Sequence, residues 1–169
     1  KPATGQETVR CQAAAASDCG QVSAFANKRD YPDRPIVGVG VVVWRDGRVL
    51  LIRRGKPPRV GSWSLPGGMQ ELGETVHEAA RREVREETGL ELGPLHLVAV
   101  VDSIERDAVG RVVRHYTLVD FTATAVGGSE RPGGDAASLG WYALHELAGL
   151  DLWRPTLDVI FAAEKLLQS

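Results

Sequence analysis

From Gly68 to Leu90 the sequence reads GMQELGETVHEAARREVREETGL, and this stretch carries a helix with both of its ends marked. Thr75 with Glu78 three residues later forms a capping-box pattern, and Gly89 stands where a left-handed C-terminal cap would fall. Between these ends, apolar and small residues recur at steps of three and four, which is the helical period. The pattern therefore predicts a helix over residues 75–88.

Three glutamates stand together near the end of this helix. Glu83, Glu86 and Glu87 occupy positions i, i+3 and i+4, so their carboxylates share one helix face. Like charges at this spacing repel each other and weaken a bare helix. A hard divalent cation such as Mg²⁺, by contrast, needs several oxygen ligands close together. The spacing favours a metal site over the alternative, a solvated acidic face neutralised by neighbouring arginines.

The whole stretch has the spacing G-x5-E-x7-R-E-U-x-E-E-x-G-U, in which U is an apolar residue. Its members are Gly68, Glu74, Arg82, Glu83, Val84, Glu86, Glu87, Gly89 and Leu90. This is the signature of the Nudix hydrolases, and the chain resembles that family. The resemblance implies an α/β fold, the Nudix-type α/β/α sandwich with a mixed β-sheet, over roughly residues 36 to 167.

The resemblance also implies a reaction. Family members mostly cleave a nucleoside diphosphate linked to a further group X, by attack of water on phosphorus. It implies Mg²⁺, or Mn²⁺ in its place, held by Glu83, Glu86, Glu87 and the backbone carbonyl of Gly68. Either Glu83 or Glu86 would serve as general base, and the sequence leaves that choice open. Arg82 is placed with the catalytic residues, and it is expected to brace the site through an ion pair with Glu74.

Substrate-binding candidates lie outside the signature. Arg53 and Arg54 end a predicted strand, with Lys56 and Arg59 in the following loop. Guanidinium groups bind phosphate in a bidentate manner, so this cluster is a candidate for the substrate's far phosphate. The alternative is a solvated loop. Four aromatic residues are candidates to stack on a base or, alternatively, belong to the core: Trp63, Tyr116, Trp141 and Trp153.

A further acid is expected from a late loop, because many family members use one there. Asp135 is the candidate, and it is included among the substrate-binding residues. Ser138 stands where a glutamate is common in small bacterial members, so the pattern departs from the family here. Glu130 and Glu105 are the alternative acids.

The rest of the chain alternates strand and turn signals. Ile36 to Trp44 is a β-branched run typical of a strand buried on both faces, and Asp46-Gly47 predicts a hairpin to its partner. Further predictions are a short strand at residues 63–65, strands at 95–104, 111–125 and 139–142, a Gly/Pro-rich loop at 127–134, and a final helix opened by Pro155.

Composition limits the remaining choices. The chain has 169 residues and a net charge of −2, which fits one domain, residues 36–169, and argues against a general nucleic-acid binder. No apolar run is long enough for a membrane span. Residues 1–35, which contain Cys11 and Cys19, are interpreted as an arm or linker or as the remnant of a transit peptide. The protein is expected in the cytoplasm, or in an organelle matrix if that arm is such a remnant.

Three functions remain open. Segments such as WSLPGG and HYTLVDF resemble the small ADP-ribose pyrophosphatase-like and nucleotide-sanitising members, which favours an ADP-ribose-like substrate. A nucleoside triphosphate pyrophosphatase that removes oxidised nucleotides is the first alternative, because Arg106 stands near the position of a proline found in many ADP-ribose enzymes. A binding or assembly subunit without turnover is the second. A nucleotide-derived small molecule is the expected partner, and a homodimer is possible.

Overall fold

The computed structural model describes residues 29–56 and 59–167. Most of the predicted arm, with Cys11 and Cys19, lies outside the described residues. The elements in chain order are β1 (Ile36–Arg45), β2 (Arg48–Arg54), β3 (Trp63–Ser64), β4 (Gly67–Met69), α1 (Val76–Thr88), β5 (Leu90–Leu92), β6 (His96–Arg106), β7 (Val112–Gly128), β8 (Ala136–Tyr142), a 3-10 helix (Leu144–Gly149) and α2 (Arg154–Leu167).

Strand β1 lies at the centre of a mixed sheet. It runs parallel to β7, with Ile36 opposite Tyr116 and Trp44 opposite Thr124, and antiparallel to β2 and β4. On one side, β3 and β8 pair with β2. On the other side, β6 and β5 pair with successive parts of the long strand β7. The mixed sheet predicted above is confirmed.

Helices cover both faces of the sheet. α1 packs on one face, where Val41, Val84 and Phe121 belong to one buried cluster. α2 packs on the opposite face, where Val42 and Ile160 belong to a second cluster. Consecutive residues of β1 therefore contribute to opposite cores, which explains why the strand is apolar on both sides. The α/β/α arrangement is confirmed. Within the described residues, neither α-helix has the length and apolar character that crossing a membrane requires.

Local turn signals correctly predict the first hairpin. Asp46 and Gly47 have φ values of 50° and 70°, as a two-residue hairpin turn with a left-handed backbone requires, and Arg45 pairs with Arg48 across it. This turn returns β2 beside β1. The arginines at the end of β2 are thereby brought to the same edge of the sheet as the loop that precedes α1.

The predicted end of β7 and the predicted start of the following loop are wrong. The strand continues past Ala125 to Gly128, and its last residues pair with Leu90 and Glu91 of β5. Glycine gives no strand signal, yet it is needed here, because a side chain on Gly128 would collide with the carbonyl of Gly89. The short strands β4 and β5 and the 3-10 helix are also absent from the sequence prediction.

Candidate active site

Both ends of α1 are fixed by its own residues, and this sets the register of the three glutamates near its end. The Thr75 hydroxyl accepts a hydrogen bond from the Glu78 backbone N–H at 3.2 Å, and the Glu78 carboxylate accepts one from the Thr75 N–H at 2.7 Å. Gly89 has a φ of 71° and donates its N–H to the Arg85 carbonyl at 2.9 Å. The predicted capping box and left-handed cap are confirmed.

Arg82 joins this helix to the loop before it. Its guanidinium donates to both carboxylate oxygens of Glu74, at 2.6 and 3.1 Å, and to the Met69 carbonyl at 3.0 Å. It also donates to Glu83 at 2.9 Å and to Glu86 at 3.4 Å. The hydrogen bond from Arg82 lowers the pKa of Glu74. The predicted ion pair with Glu74 is confirmed, and its geometry makes Arg82 a positioning residue for two of the acids.

Two glycines bring the preceding loop against the acids. Gly68 pairs with Val39 of β1, and a side chain at Gly68 would collide with the Glu83 carboxyl group. The Gly67 N–H donates to Glu87 Oε2 at 2.8 Å. A side chain at Gly67 would collide with the carbonyl of Val39. Gly67 therefore needs glycine, because it has a φ of 157° and lies against backbone, whereas at Gly68 the close neighbour is the movable end of the Glu83 side chain.

Burial disfavours ionisation of two of the acids. Glu87 is 3% exposed, and burial raises its pKa to about 8, against the opposing effect of the Gly67 N–H. Burial also raises the pKa of Glu83, against the opposing hydrogen bond from Arg82. Glu86 differs, because its side chain is 55% exposed. This end of the site thus holds acids that a nearby positive charge would stabilise in their ionised form.

The donor chemistry here suits a hard cation. Carboxylate and carbonyl oxygens are the ligands that Mg²⁺ and Mn²⁺ prefer, and Glu83 lies against Gly68, whose carbonyl is the predicted further ligand. In the part of the chain that the structure describes, however, no three acidic, histidine or cysteine side chains form a group that could hold a metal ion. Glu83 and Glu86 instead accept hydrogen bonds from Arg82, and Glu87 accepts one from the Gly67 N–H. The acids share one surface, as predicted, without forming a closed cage.

One open groove of about 1880 Å³ contains these residues. A pocket for a drug-sized ligand has roughly 300 to 1,000 Å³, so this groove has room for a larger, two-part substrate. Its lining combines three chemical types. The acidic end contains Glu83, Glu86, Glu87 and Asp135, together with Gly68 and Arg82. A basic wall contains Arg53, Arg54 and Arg59, and the aromatic residues of the lining include Trp63, Tyr116 and Trp153.

The predicted phosphate-binding residues lie on the wall formed by β2 and the loop after it. Arg53 donates to the Gly61 carbonyl at 2.9 Å, and Arg54 follows it at the end of the strand. Asp135 forms an ion pair with Lys56 at 2.7 Å, and this hydrogen bond lowers the pKa of Asp135. Arg53, Arg54 and Asp135 all line the groove that contains the glutamates.

The remaining candidates divide between the groove and the rest of the surface. Glu105 lines the groove and pairs with Arg114 at 2.9 Å. Glu130 instead pairs with Arg45 at 3.1 Å and accepts a hydrogen bond from the Trp141 indole at 3.0 Å, and neither Glu130 nor Trp141 is among the groove residues. Of the three candidates for the late acid, Asp135 and Glu105 therefore line the groove and Glu130 does not.

Sequence reasoning overlooked two buried polar residues near this groove. The Ser64 hydroxyl is buried and has no hydrogen-bond partner among the described residues. Asp120, in β7, is 6% exposed. A signal for Asp120 exists in the sequence, since it carries the single charge within residues 116–125, which otherwise form an apolar and threonine-rich strand.

Comparisons with known proteins agree with this geometry. The family described as NUDIX domain matches residues 34–163. An ADP-ribose pyrophosphatase of Methanocaldococcus jannaschii is 38% identical over 116 residues, which cover 69% of this chain and 66% of that protein. The 8-oxo-dGDP phosphatase NUDT18 of Mus musculus is 35% identical over 106 residues, which cover 63% of this chain and 31% of that protein. The chain thus spans less than two thirds of the length of either relative.

One solved structure resembles this chain over nearly all of its own length. It is the crystal structure of a MutT NUDIX hydrolase from Burkholderia pseudomallei, with a TM-score of 0.68 and 36% sequence identity. The similarity covers 77% of this chain and 98% of that one.

Proposed function

This chain belongs to the Nudix hydrolase family, and we propose that it is a Mg²⁺-dependent pyrophosphatase that cleaves a nucleoside diphosphate linked to another group, with an ADP-ribose-like substrate favoured. The observation that carries the proposal is the single groove that joins the signature glutamates to arginines and aromatic rings. Such a substrate requires acidic side chains that bind cations, guanidinium groups that bind its phosphates and aromatic rings that stack on its base. The similarity of this chain to the ADP-ribose pyrophosphatase of Methanocaldococcus jannaschii supports the proposed activity.

We assign Mg²⁺, or Mn²⁺ in its place, to Glu83, Glu86, Glu87 and the Gly68 carbonyl. When bound, the cation supplies positive charge that neutralises the diphosphate and favours loss of a proton from the attacking water. A carboxylate oxygen of Glu83 or of Glu86 accepts that proton. Arg82 holds both of these side chains in place and thereby fixes where the proton is taken.

The basic wall binds the part of the substrate that does not react. Arg53 and Arg54 are assigned to the phosphate farther from the attacked phosphorus, because a guanidinium group binds two phosphate oxygens at once. Asp135 is assigned to the late acid, with Lys56 holding its carboxylate beside Gly55, whose N–H donates to the Asp135 carbonyl at 2.8 Å.

Two other functions compete with this proposal. A nucleoside triphosphate or oxidised-nucleotide pyrophosphatase is supported by the relative that is an 8-oxo-dGDP phosphatase. A binding or assembly subunit without turnover would explain the departure at Ser138. The buried, mutually repelling carboxylates of Glu83 and Glu87 oppose the subunit, because a protein without catalysis gains no stability from them.

A substrate panel tests the proposed function directly. The purified full chain is incubated with Mg²⁺ and, separately, with ADP-ribose, UDP-glucose, dGTP and 8-oxo-dGTP, and phosphate-containing products are quantified. We expect ADP-ribose to give the highest kcat/KM, with AMP and ribose 5-phosphate as products. A preference for a triphosphate would support the first alternative, and no turnover of any compound would favour the assembly subunit.

Metal binding should also appear as a change in stability. Mg²⁺ that binds only the folded chain raises its free energy of unfolding by about 2.7 kcal/mol at roughly 100 times Kd. Glu87→Gln should reduce the resulting rise in Tm, because the variant loses a charged ligand but keeps an acceptor for the Gly67 N–H. Differential scanning fluorimetry with a Mg²⁺ titration measures both proteins. A rise of equal size in Glu87→Gln would exclude Glu87 as a ligand.

A further inference from the structure

Residues 29–31, near the end of the predicted arm, are attached to the β6–β7 hairpin close to its turn. Tyr31 has a φ of 52°, in the left-handed region. Its N–H donates to the Val113 carbonyl at 2.8 Å and its hydroxyl to Asp107 Oδ2 at 3.3 Å, and the Arg111 guanidinium lies 5.1 Å from the centre of its ring. A residue other than glycine keeps such a backbone conformation only where its surroundings hold it, so Tyr31 fixes the course of this segment.

The preceding residue forms a second attachment. Asp30 accepts a hydrogen bond from Arg114 at 2.9 Å, and Arg114 also donates to Glu105 at 2.9 Å. Glu105 and Arg114 both line the groove that contains the signature glutamates. A single exposed ion pair contributes little to stability, so the importance of this contact is its position, which holds Asp30 beside the groove.

Arg29, the next residue in this direction, lines the same groove. Its segment is attached to β7, on one side of β1, whereas Asp135 precedes β8, which pairs with β2 on the other side. The hydrogen bond from Lys56 is the main cause of the lowered pKa of Asp135, and the charges of Arg54 and Arg29 lower that pKa further. Because exposed charges more than about 10 Å apart are largely screened, Arg29 faces the acidic end from across the groove.

The guanidinium group of Arg29 has its donors available. Four other arginines of the groove already donate to protein groups: Arg53 to the Gly61 carbonyl, Arg82 to Glu74, Arg114 to Asp30 and Arg154 to Asp158. Within the described residues, no hydrogen bond or ion pair to the Arg29 guanidinium is found. A guanidinium group offers five N–H donors in a planar fork, which suits the oxygens of a phosphate.

We propose that Arg29 is a substrate-binding residue whose guanidinium group binds the diphosphate of the substrate from the wall opposite Arg53 and Arg54. This inference rests on the proposed function and adds a residue that lies before the matched family region, residues 34–163. The cations, and with them the diphosphate, belong at the acidic end, which Arg29 faces. A diphosphate presents oxygens in several directions, so guanidinium groups on both walls can bind it at once.

The test separates binding from catalysis. Values of kcat and KM are measured at saturating Mg²⁺ on the best substrate of the panel, for the wild type and for Arg29→Gln. A group that binds the ground state and the transition state equally affects KM alone, so we expect KM to rise about tenfold while kcat changes less than about twofold. Arg29→Lys should give an intermediate KM, because an ammonium group keeps the charge but not the planar fork. The affinity for ADP without metal, measured by isothermal titration calorimetry, should also fall in Arg29→Gln.

The matched control is Arg34→Gln, since Arg34 is an exposed arginine five residues later that pairs with Asp33 at 3.1 Å and lies outside the groove. It should keep the KM of the wild type. Tyr31→Ala tests the attachment of the segment, and it should raise KM in the wild type but not in Arg29→Gln, because it acts through Arg29.

The outcomes distinguish this inference from the proposed function. If Arg29→Gln keeps both the KM and the ADP affinity of the wild type, the assignment of Arg29 is overturned while the pyrophosphatase remains intact. An equal rise of KM in Arg34→Gln would also overturn it, because overall charge would then be the cause. If the wild type hydrolyses no compound, the proposed function fails, and the ADP affinities alone decide whether Arg29 binds a diphosphate.

Discussion

Replacing Glu86 by glutamine is expected to lower kcat on the best substrate by about a thousandfold, because the substitution removes a proposed metal ligand and one of the two candidate bases. Loss of acid–base catalysis alone costs on the order of 10² to 10⁴ in rate, and loss of a charged ligand adds to it. Glu86 suits the experiment because its side chain is 55% exposed and its one hydrogen bond in the described chain, to Arg82, is 3.4 Å long. The fold should therefore survive the change.

The measurement is steady-state kinetics at saturating Mg²⁺, with Tm recorded for each protein. Glu91→Gln is the matched control, since Glu91 is an exposed glutamate of β5 just beyond the same helix and outside the groove. It should retain wild-type kcat. If Glu86→Gln also retained kcat, with an unchanged requirement for Mg²⁺, Glu86 would be neither ligand nor base, and Glu83 would be the base that remains.

The features that were predictable from the sequence depend on residues close together in the chain. Thr75 and Glu78 define the start of α1 within one turn, and Asp46-Gly47 defines a hairpin through backbone conformations that few other residues adopt. The spacing of the signature then places the glutamates on one helix face without further information. For this reason the helix, the first hairpin and the acidic end of the groove all agree with the prediction.

The features that were not predictable depend on contacts between distant segments. Strand β4 contains Gly67 and Gly68, which have no strand propensity, and it forms because β1 supplies pairing partners about 30 residues earlier in the chain. Arg82 was predicted to pair with Glu74, but its additional bonds to the Met69 carbonyl and Glu83 depend on how the loop folds back. Whether a buried aspartate such as Asp120 has a partner likewise depends on the tertiary structure.

Replacing Asp120 by asparagine is expected to stabilise the protein at pH 8, by about 3 kcal/mol at most, because the buried amide of asparagine also lacks a partner among the described residues. Burial raises the pKa of Asp120 from 3.8 to about 6, and each pKa unit corresponds to about 1.4 kcal/mol of difference between the two protonation states. Asparagine has nearly the same size and is never charged, so it avoids the cost of a buried carboxylate. Chemical denaturation of the metal-free wild type and of the variant measures the difference.

The pH dependence of this difference identifies its cause. A carboxyl group with a raised pKa binds its proton more tightly in the folded chain, so the wild type is not penalised well below pH 3.8, where the group is protonated in both the folded and the unfolded state. The penalty grows as pH rises through the interval from 3.8 to about 6 and is complete above it. The stability gap between the two proteins should therefore be small at pH 4 and largest at pH 8, while other titrating groups such as Glu87 cancel because both proteins contain them.

The direction of this effect shows whether the carboxylate of Asp120 stabilises or destabilises the folded chain. If Asp120 served the fold, Asp120→Asn would lower stability at pH 8, and the gap would have the opposite sign. A variant that is more stable than the wild type at pH 8 would mean that the buried carboxylate of Asp120 lowers the stability of the folded chain.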